Sequence, residues 1–162
     1  MQGGNCAMMM EDTEVRWLTD EQQASWRAFL EGTARLNESL NRDLENDSDL
    51  SLNEYEVLVR LSESPQRTLR MSQLADNLAH SRSRVTHTIR RMEERGLVVR
   101  ESCVADGRGV NCALTETGVA ALVAAAPRHV TSVRRHLVDV LTPEQLVVLG
   151  EAMERVSLAC RS

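Results

Sequence analysis

Residues Ser81 to Arg91, SRSRVTHTIRR, carry the side chains of this chain best suited to gripping a polyanion. Val85, Ile89 and Met92 recur at i, i+4 and i+7, which is one stripe of an α-helix. On a helical wheel the opposite face holds Ser83, Thr86, His87, Arg90 and Arg91, with Arg82 and Arg84 beside it. Guanidinium groups neutralise and fork onto phosphate, while hydroxyls, imidazole and arginine can also meet the donors and acceptors on base edges. The first residues of such a helix reach deepest into a groove, which assigns Ser83, Arg84 and His87 to bases and Arg90 and Arg91 to phosphates. Ser72 and Gln73, at the start of the preceding helix, offer hydroxyl, amide and backbone N–H groups to phosphate. The plainer reading is a solvated charged face. Hydroxyls and an imidazole interleaved with the arginines weigh against it.

Gly96 stops the arginine-rich helix, and two short strand-like runs follow, Leu97 to Cys103 and Val110 to Leu114. Between them lies Asp106-Gly107-Arg108-Gly109, a hairpin tip. The glycines let the backbone approach a surface closely, Arg108 suits a narrow A·T-rich minor groove, and Asp106 can steady its guanidinium. Cys103 and Cys112 fall on opposite arms. A two-residue turn would set them directly opposite, and a register shifted by two would leave them diagonal on one face. Packing thiols are the simpler reading, and a wing disulfide acting as a redox switch is the alternative.

The surrounding elements must hold these groups. Thr19-Asp20-Glu21-Gln22 is a capping box, and the helix behind it carries Trp26, Phe29, Thr33, Leu36, Leu40 and Leu44 before an acidic stop at residues 45–49. Ser51 caps a second helix, with Glu54 completing its box and Tyr55, Leu58 and Leu61 on one face; Ser64-Pro65 ends it. Ser72 is expected to cap a third helix, with Leu74, Ala75 and Leu78 inward, and Ser81 a fourth. Thr115 opens a long helix expected to be interrupted or bent near Pro127, and Thr142-Pro143-Glu144-Gln145 starts the last one. A short helix, a turn, a groove-filling helix and a hairpin make a winged helix-turn-helix. The expected fold is therefore mainly α with a small β-hairpin wing, flanked by long helices. Residues 1–18 read as a flexible tail and 51–114 as the DNA-binding region. Residues 19–50 and 115–162 read as a helical dimerisation region, because their apolar stripes exceed what one small domain can cover.

Net charge is −5, which alone argues against a nucleic-acid binder, but the charge is unevenly spread. Residues 1–60 hold 5 Arg against 13 acids, whereas residues 61–110 hold 9 Arg against 6. Screening confines each charge to about 8 Å at physiological salt, so the local excess decides. All 19 basic residues are Arg, a pattern expected of a GC-rich genome. No apolar run approaches the ~20 residues of a membrane span. Without a secretion signal the protein is expected in the cytoplasm, with its four cysteines reduced. No CxxC or Cys/His cluster suggests a metal, no cofactor is implied, and neither a nucleophile elbow nor a phosphate loop suggests an enzyme. A winged helix used only for protein contact remains a further alternative, though it would not need the arginine face.

The central segment resembles the MarR family of bacterial transcriptional regulators. The likeness rests on Leu74-Ala75, Ser83-x-Val85-Thr86, Glu94-Arg95-Gly96-Leu97-Val98, Asp106-x-Arg108-Gly109 and Leu114-Thr115-x-x-Gly118, and extends over roughly Thr19 to Val156. Arg16-Trp17-Leu18-Thr19 and Pro127-x-His129-Val130 resemble an actinobacterial branch. The resemblance implies a homodimer on double-stranded DNA, with recognition helices in successive major grooves of a near-palindromic operator and wings on the flanking minor grooves. It also implies release by a small ligand or an oxidant. Trp26, Tyr55 and His129 come from three helices that, by the resemblance, converge, and could line a pocket for an aromatic or phenolic effector; core packing is the plainer role. Peroxide-sensing members carry a reactive cysteine in the first long helix, and this chain has none between Cys6 and Cys103. A repressor relieved by an aromatic molecule is thus the leading expectation, and thiol sensing through Cys103 and Cys112 the second.

Overall fold

A computed structural model describes residues 15–102 and 109–161. Six α-helices and three strands follow one another: α1 (Asp20–Ser48), α2 (Leu52–Ser62), β1 (Thr68–Arg70), α3 (Met71–Asn77), α4 (Arg82–Glu94), β2 (Val98–Ser102), β3 (Val110–Leu114), α5 (Glu116–Val133) and α6 (Pro143–Ala159). The fold is mainly helical with one small antiparallel sheet, as the sequence patterns indicate. The helix starts sit where the capping side chains put them. Thr19 Oγ1 accepts from Gln22 N–H at 3.2 Å while Gln22 Oε1 accepts from Thr19 N–H at 3.0 Å. Ser51 with Glu54 and Thr142 with Gln145 form equivalent boxes, and Ser81 accepts from Arg84 N–H. Each satisfies backbone donors that a helix start leaves without a partner.

The chain divides within α1 into two compact units, residues 1–33 and 34–162. In the first, Trp26 stacks on Phe29 with ring centroids 5.8 Å apart, and both remain exposed. The second contains the core. Leu58 and Leu61 of α2, Leu74 of α3, Val85, Ile89 and Met92 of α4, Cys112 of β3 and Ala125 of α5 are fully buried together. The i, i+4, i+7 stripe of α4 therefore points inward, and its polar face is left to solvent.

Four local features differ from the sequence expectation. Strand β1 is an addition, so the sheet has three strands in the order β1-β3-β2. Because β1 runs to Arg70, α3 begins directly at Met71. Gln73 Oε1 accepts from Arg70 N–H at 3.2 Å, which makes Ser72 a first-turn residue rather than the cap. The ladder pairs Cys112 with Arg100, and neither register considered for Cys112 and Cys103 is the one formed. Cys103 itself lies outside the described residues. Finally, α5 runs through Pro127 without interruption, and its regularity changes only at the π-turn Arg134–Val138.

The exit of α4 shows how the hairpin is fixed. Gly96 adopts φ 69°, a left-handed backbone that glycine takes without a Cβ clash. Its N–H reaches Glu93 O and Leu97 N–H reaches Met92 O, both at 2.9 Å, closing a Schellman motif. Thr115 then ties the helix exit to the next helix start. Its hydroxyl lies 2.7 Å from Gly96 O, 3.0 Å from Leu97 O and 3.0 Å from Gly118 N–H. A Cβ on Gly118 would stand 2.1 Å from Leu97 O, so the glycine of Leu114-Thr115-x-x-Gly118 is required by close approach.

The C-terminal half of α1 is pinned to α5 and the π-turn through Asp43. Its carboxylate accepts from the Ser132 hydroxyl and from Arg135 Nη2 at 2.6 Å, and His136 Nε2 lies 3.1 Å away. The Ser132 hydrogen bond, with help from Arg135 and His136, holds the Asp43 carboxyl down at about 2 despite burial. An ionised acceptor assigns a proton to His136 Nε2 at neutral pH. Because the folded value lies below the unfolded one, this stabilisation is complete above pH ~4 and is lost as pH falls toward 2. Arg135 is largely exposed, which limits the contribution to about 1–2 kcal/mol. Asp43→Asn should lower stability by that amount in urea denaturation at pH 7 and flatten the stability loss between pH 4 and 2. An unchanged acid limb would show that Asp43 titrates without linkage to folding.

Candidate nucleic-acid interface

Burial of Val85, Ile89 and Met92 leaves Arg82, Ser83, Arg84, Thr86, His87, Arg90 and Arg91 exposed on α4. They do not form one uniform face. Thr86 Oγ1 donates to Arg82 O at 2.8 Å, Ser83 Oγ lies 3.2 Å from Ser81 Oγ, and Arg90 Nε pairs with Glu94 at 3.2 Å across one helical turn. These are exposed, exchangeable contacts worth little each, so a phosphate or base edge can replace them at small cost. Ser72 and Gln73 are exposed on α3, with Gln73 Oε1 already engaged by the Arg70 N–H.

The other flank of α4 is built differently. Arg84, Arg91 and Arg95 stand at i, i+7 and i+11, and all three turn toward α2. Arg84 Nη2 donates to Asn53 Oδ1 at 3.2 Å. Glu54 of α2 is only 2% exposed, and its Oε2 accepts from Ser51 N–H at 2.9 Å, the Ser51 hydroxyl at 3.0 Å and Arg95 Nη1 at 3.4 Å. Its Oε1 accepts no hydrogen bond among the described residues, and Arg91 Nη2 faces it at 3.7 Å. Arg95 also reaches Asp49 O at 2.6 Å, at the left-handed residue that ends α1. Sequence reasoning took Glu54 for a cap and passed over Arg95. The seven- and four-residue spacings among Arg84, Arg91 and Arg95 were the available signal.

At the wing root, Arg100 of β2 clasps Glu93 of α4 through Nε at 2.8 Å and Nη2 at 2.6 Å, while its own N–H reaches Glu93 Oε1 at 3.0 Å. Both guanidinium bonds converge on Oε2, and together these contacts depress the Glu93 carboxyl and raise Arg100. They fix the first strand of the hairpin to the helix that carries the polar face. Asp106, Arg108 and Cys103 lie outside the described residues. Cys112 is fully buried, and burial pushes its thiol up to about 12.

Of the three residues considered for an effector, the structure brings Tyr55 and His129 together, with ring centroids 4.3 Å apart. Burial raises the Tyr55 hydroxyl and lowers the His129 imidazole, which favours both neutral forms. The space beside His129, bounded by Asp43, Leu44, Asp47, Arg128 and Ser132, has no room for a water molecule. Trp26 belongs to the first unit, where it stacks on Phe29. No group of three or more His, Cys, Asp or Glu side chains able to hold a metal occurs among the described residues.

Residues 48–109, from the end of α1 to the foot of β3, match the MarR family model. AbsC, a MarR family transcriptional regulator from Streptomyces coelicolor, is 45% identical, with a TM-score of 0.84 over 91% of this chain and 99% of AbsC. The chain belongs to the MarR family. Sco3205, a second MarR family regulator from Streptomyces coelicolor, solved in complex with DNA, is 43% identical with a TM-score of 0.85, over 90% of this chain and 91% of that one. An uncharacterized HTH-type transcriptional regulator from Bacillus cereus is 27% identical over 81% of this chain and 85% of its own length. This MarR-family chain is a DNA-binding transcriptional regulator and not an enzyme.

The thiols can be tested directly, since reactivity follows thiolate character and exposure. Brief alkylation of the native protein should label the exposed Cys160 and leave Cys112 untouched until the protein is unfolded. Rapid native labelling of Cys112 would mean that the sheet opens enough to make it a sensor.

Proposed function

We propose that this MarR-family regulator is a homodimeric, sequence-specific repressor. Its α4 helices would enter successive major grooves of a near-palindromic operator in double-stranded DNA. The observation that carries the reading is the exposed face of Arg82, Ser83, Thr86, His87 and Arg90 on a helix whose other side is core. Arg84 and Arg91 border that face, Ser72 and Gln73 approach phosphate from α3, and Arg108 at the wing tip enters a flanking minor groove steadied by Asp106. That Sco3205 was solved in complex with DNA supports DNA as the partner.

Dimerisation is supported by large apolar side chains that stay exposed among the described residues. On α6 these are Val147, Val148, Leu149, Met153, Val156 and Leu158. A helix with no buried residue along its length needs another surface, and a second copy supplies a self-complementary one. On this reading residues 19–50 and 115–162 serve dimerisation and residues 51–114 serve DNA binding. No helix among the described residues is long and apolar enough to cross a membrane, and a regulator of chromosomal DNA would work in the cytoplasm. An aromatic effector would act by parting Tyr55 from His129. Thiol sensing is the weaker reading, given the burial of Cys112.

His87→Ala should cost about 1–3 kcal/mol on the selected operator and relax preference at a few base pairs. Arg90→Ala should weaken all sequences alike and reduce the salt slope of binding by about one unit. Sedimentation at micromolar concentration should show a dimer in every case. The opposite pattern would exchange the base and phosphate assignments, and a folded monomer would overturn the dimer.

A further inference from the structure

The α4 helix is held by a buried carboxylate, Glu54, on the flank that faces α2. Glu54 is shielded from water, yet its two oxygens are treated unequally. Oε2 is saturated by Ser51 and Arg95, whereas Oε1 has only the Arg91 guanidinium, beyond hydrogen-bond distance at 3.7 Å. Arg91 keeps 59% of its side chain exposed, and a cleft of about 360 Å³ opens beside it, bordered by Asn41, Glu45, Asn53 and Arg84. Arg91 thus has room to move but is drawn inward by charge. Arg95 is bound more tightly, to Glu54 at 3.4 Å and to the carbonyl and carboxylate oxygens of Asp49. One carboxylate therefore restrains two of the cations on this helix, four and eleven residues beyond His87 and Arg84 respectively.

We propose that Glu54 is the positioning residue for sequence discrimination: it fixes α4 against α2 and withholds Arg91 and Arg95 from indiscriminate phosphate contact. This rests on the reading that α4 docks on DNA. A recognition helix selects sequence only if its base-facing side chains return to the same depth and rotation each time, since each mismatched pair is discriminated by contact geometry. Cations free to follow any backbone raise affinity for all DNA alike. Restraining them suppresses that term while the same contacts hold the helix in register.

The test is Glu54→Gln in the full-length protein, with operator and random duplexes titrated across a salt series. The amide keeps the shape and can still accept from Ser51 N–H, but it no longer neutralises the arginines. Operator affinity should fall about tenfold while affinity for random DNA holds or rises, with a steeper salt slope on random DNA as Arg91 and Arg95 are released. Equal losses on both duplexes with unchanged salt slopes would overturn the proposal and leave Glu54 a purely structural residue. Should Glu54→Gln unfold, Arg95→Gln reports the same effect from a side chain outside the DNA-facing set. Positioning predicts a larger loss on operator than on random DNA, and equal losses overturn it. Wild-type protein with no preferred duplex would overturn the functional reading, and this proposal with it.

Discussion

A carboxylate deprived of water costs several kcal/mol unless cations and hydrogen-bond donors replace its hydration, and breaking such a pair typically costs about 3–5 kcal/mol. Glu54 is that carboxylate here. Its partners come from the α1–α2 corner and from α4, so satisfying one buried charge decides how three elements meet. The apolar stripe of α4 fixes which side faces the core, but a hydrophobic stripe tolerates small rotations and slides. The charged contacts to Glu54, Asn53 and Asp49 narrow that freedom. The exposed face of Arg82, Ser83, Thr86, His87 and Arg90 inherits its aim from them.

The hairpin is fixed by equivalent logic on the other side of α4. Gly96 turns the chain, Thr115 bridges Gly96, Leu97 and Gly118, and Arg100 grips Glu93 with paired hydrogen bonds. Helix, wing root and the start of α5 therefore move as one body. A disturbance at the α1–α5 contact through Asp43, Ser132 and His136 has only packed elements between it and the DNA-facing helix. That contiguity is the physical basis on which an effector near Tyr55 and His129 would act.

Much of this was legible in the sequence, for identifiable reasons. Capping boxes at Thr19, Ser51 and Thr142 and the stripe of Val85, Ile89 and Met92 are local rules, and local rules survive folding. Strand β1 was not legible because three residues show no periodicity, and its pairing with β3 spans more than forty residues of chain. The start of α3 was displaced because Gln73 completes its half of the box on Arg70, and arginine is not among the side chains that mark a helix start. The pairing of Cys112 with Arg100 was not among the registers weighed, because register depends on the turn, which composition alone does not specify. The stripe through Trp26 and Phe29 matches a core stripe in spacing, yet these side chains are exposed. Periodicity reports that a face will be covered, not by which surface. For the same reason Glu54 was read as a cap: its second role depends on arginines some forty residues away.

We take the solvent face of α4 to be the surface that DNA covers. The chain has four histidines, and His87 alone lies on that face, so carbethoxylation mapped by mass spectrometry reads it residue by residue. Saturating operator DNA should protect His87 strongly while leaving the modification of His136, at the Asp43 contact, unchanged. Undiminished modification of His87 in the saturated complex would mean that DNA covers another surface.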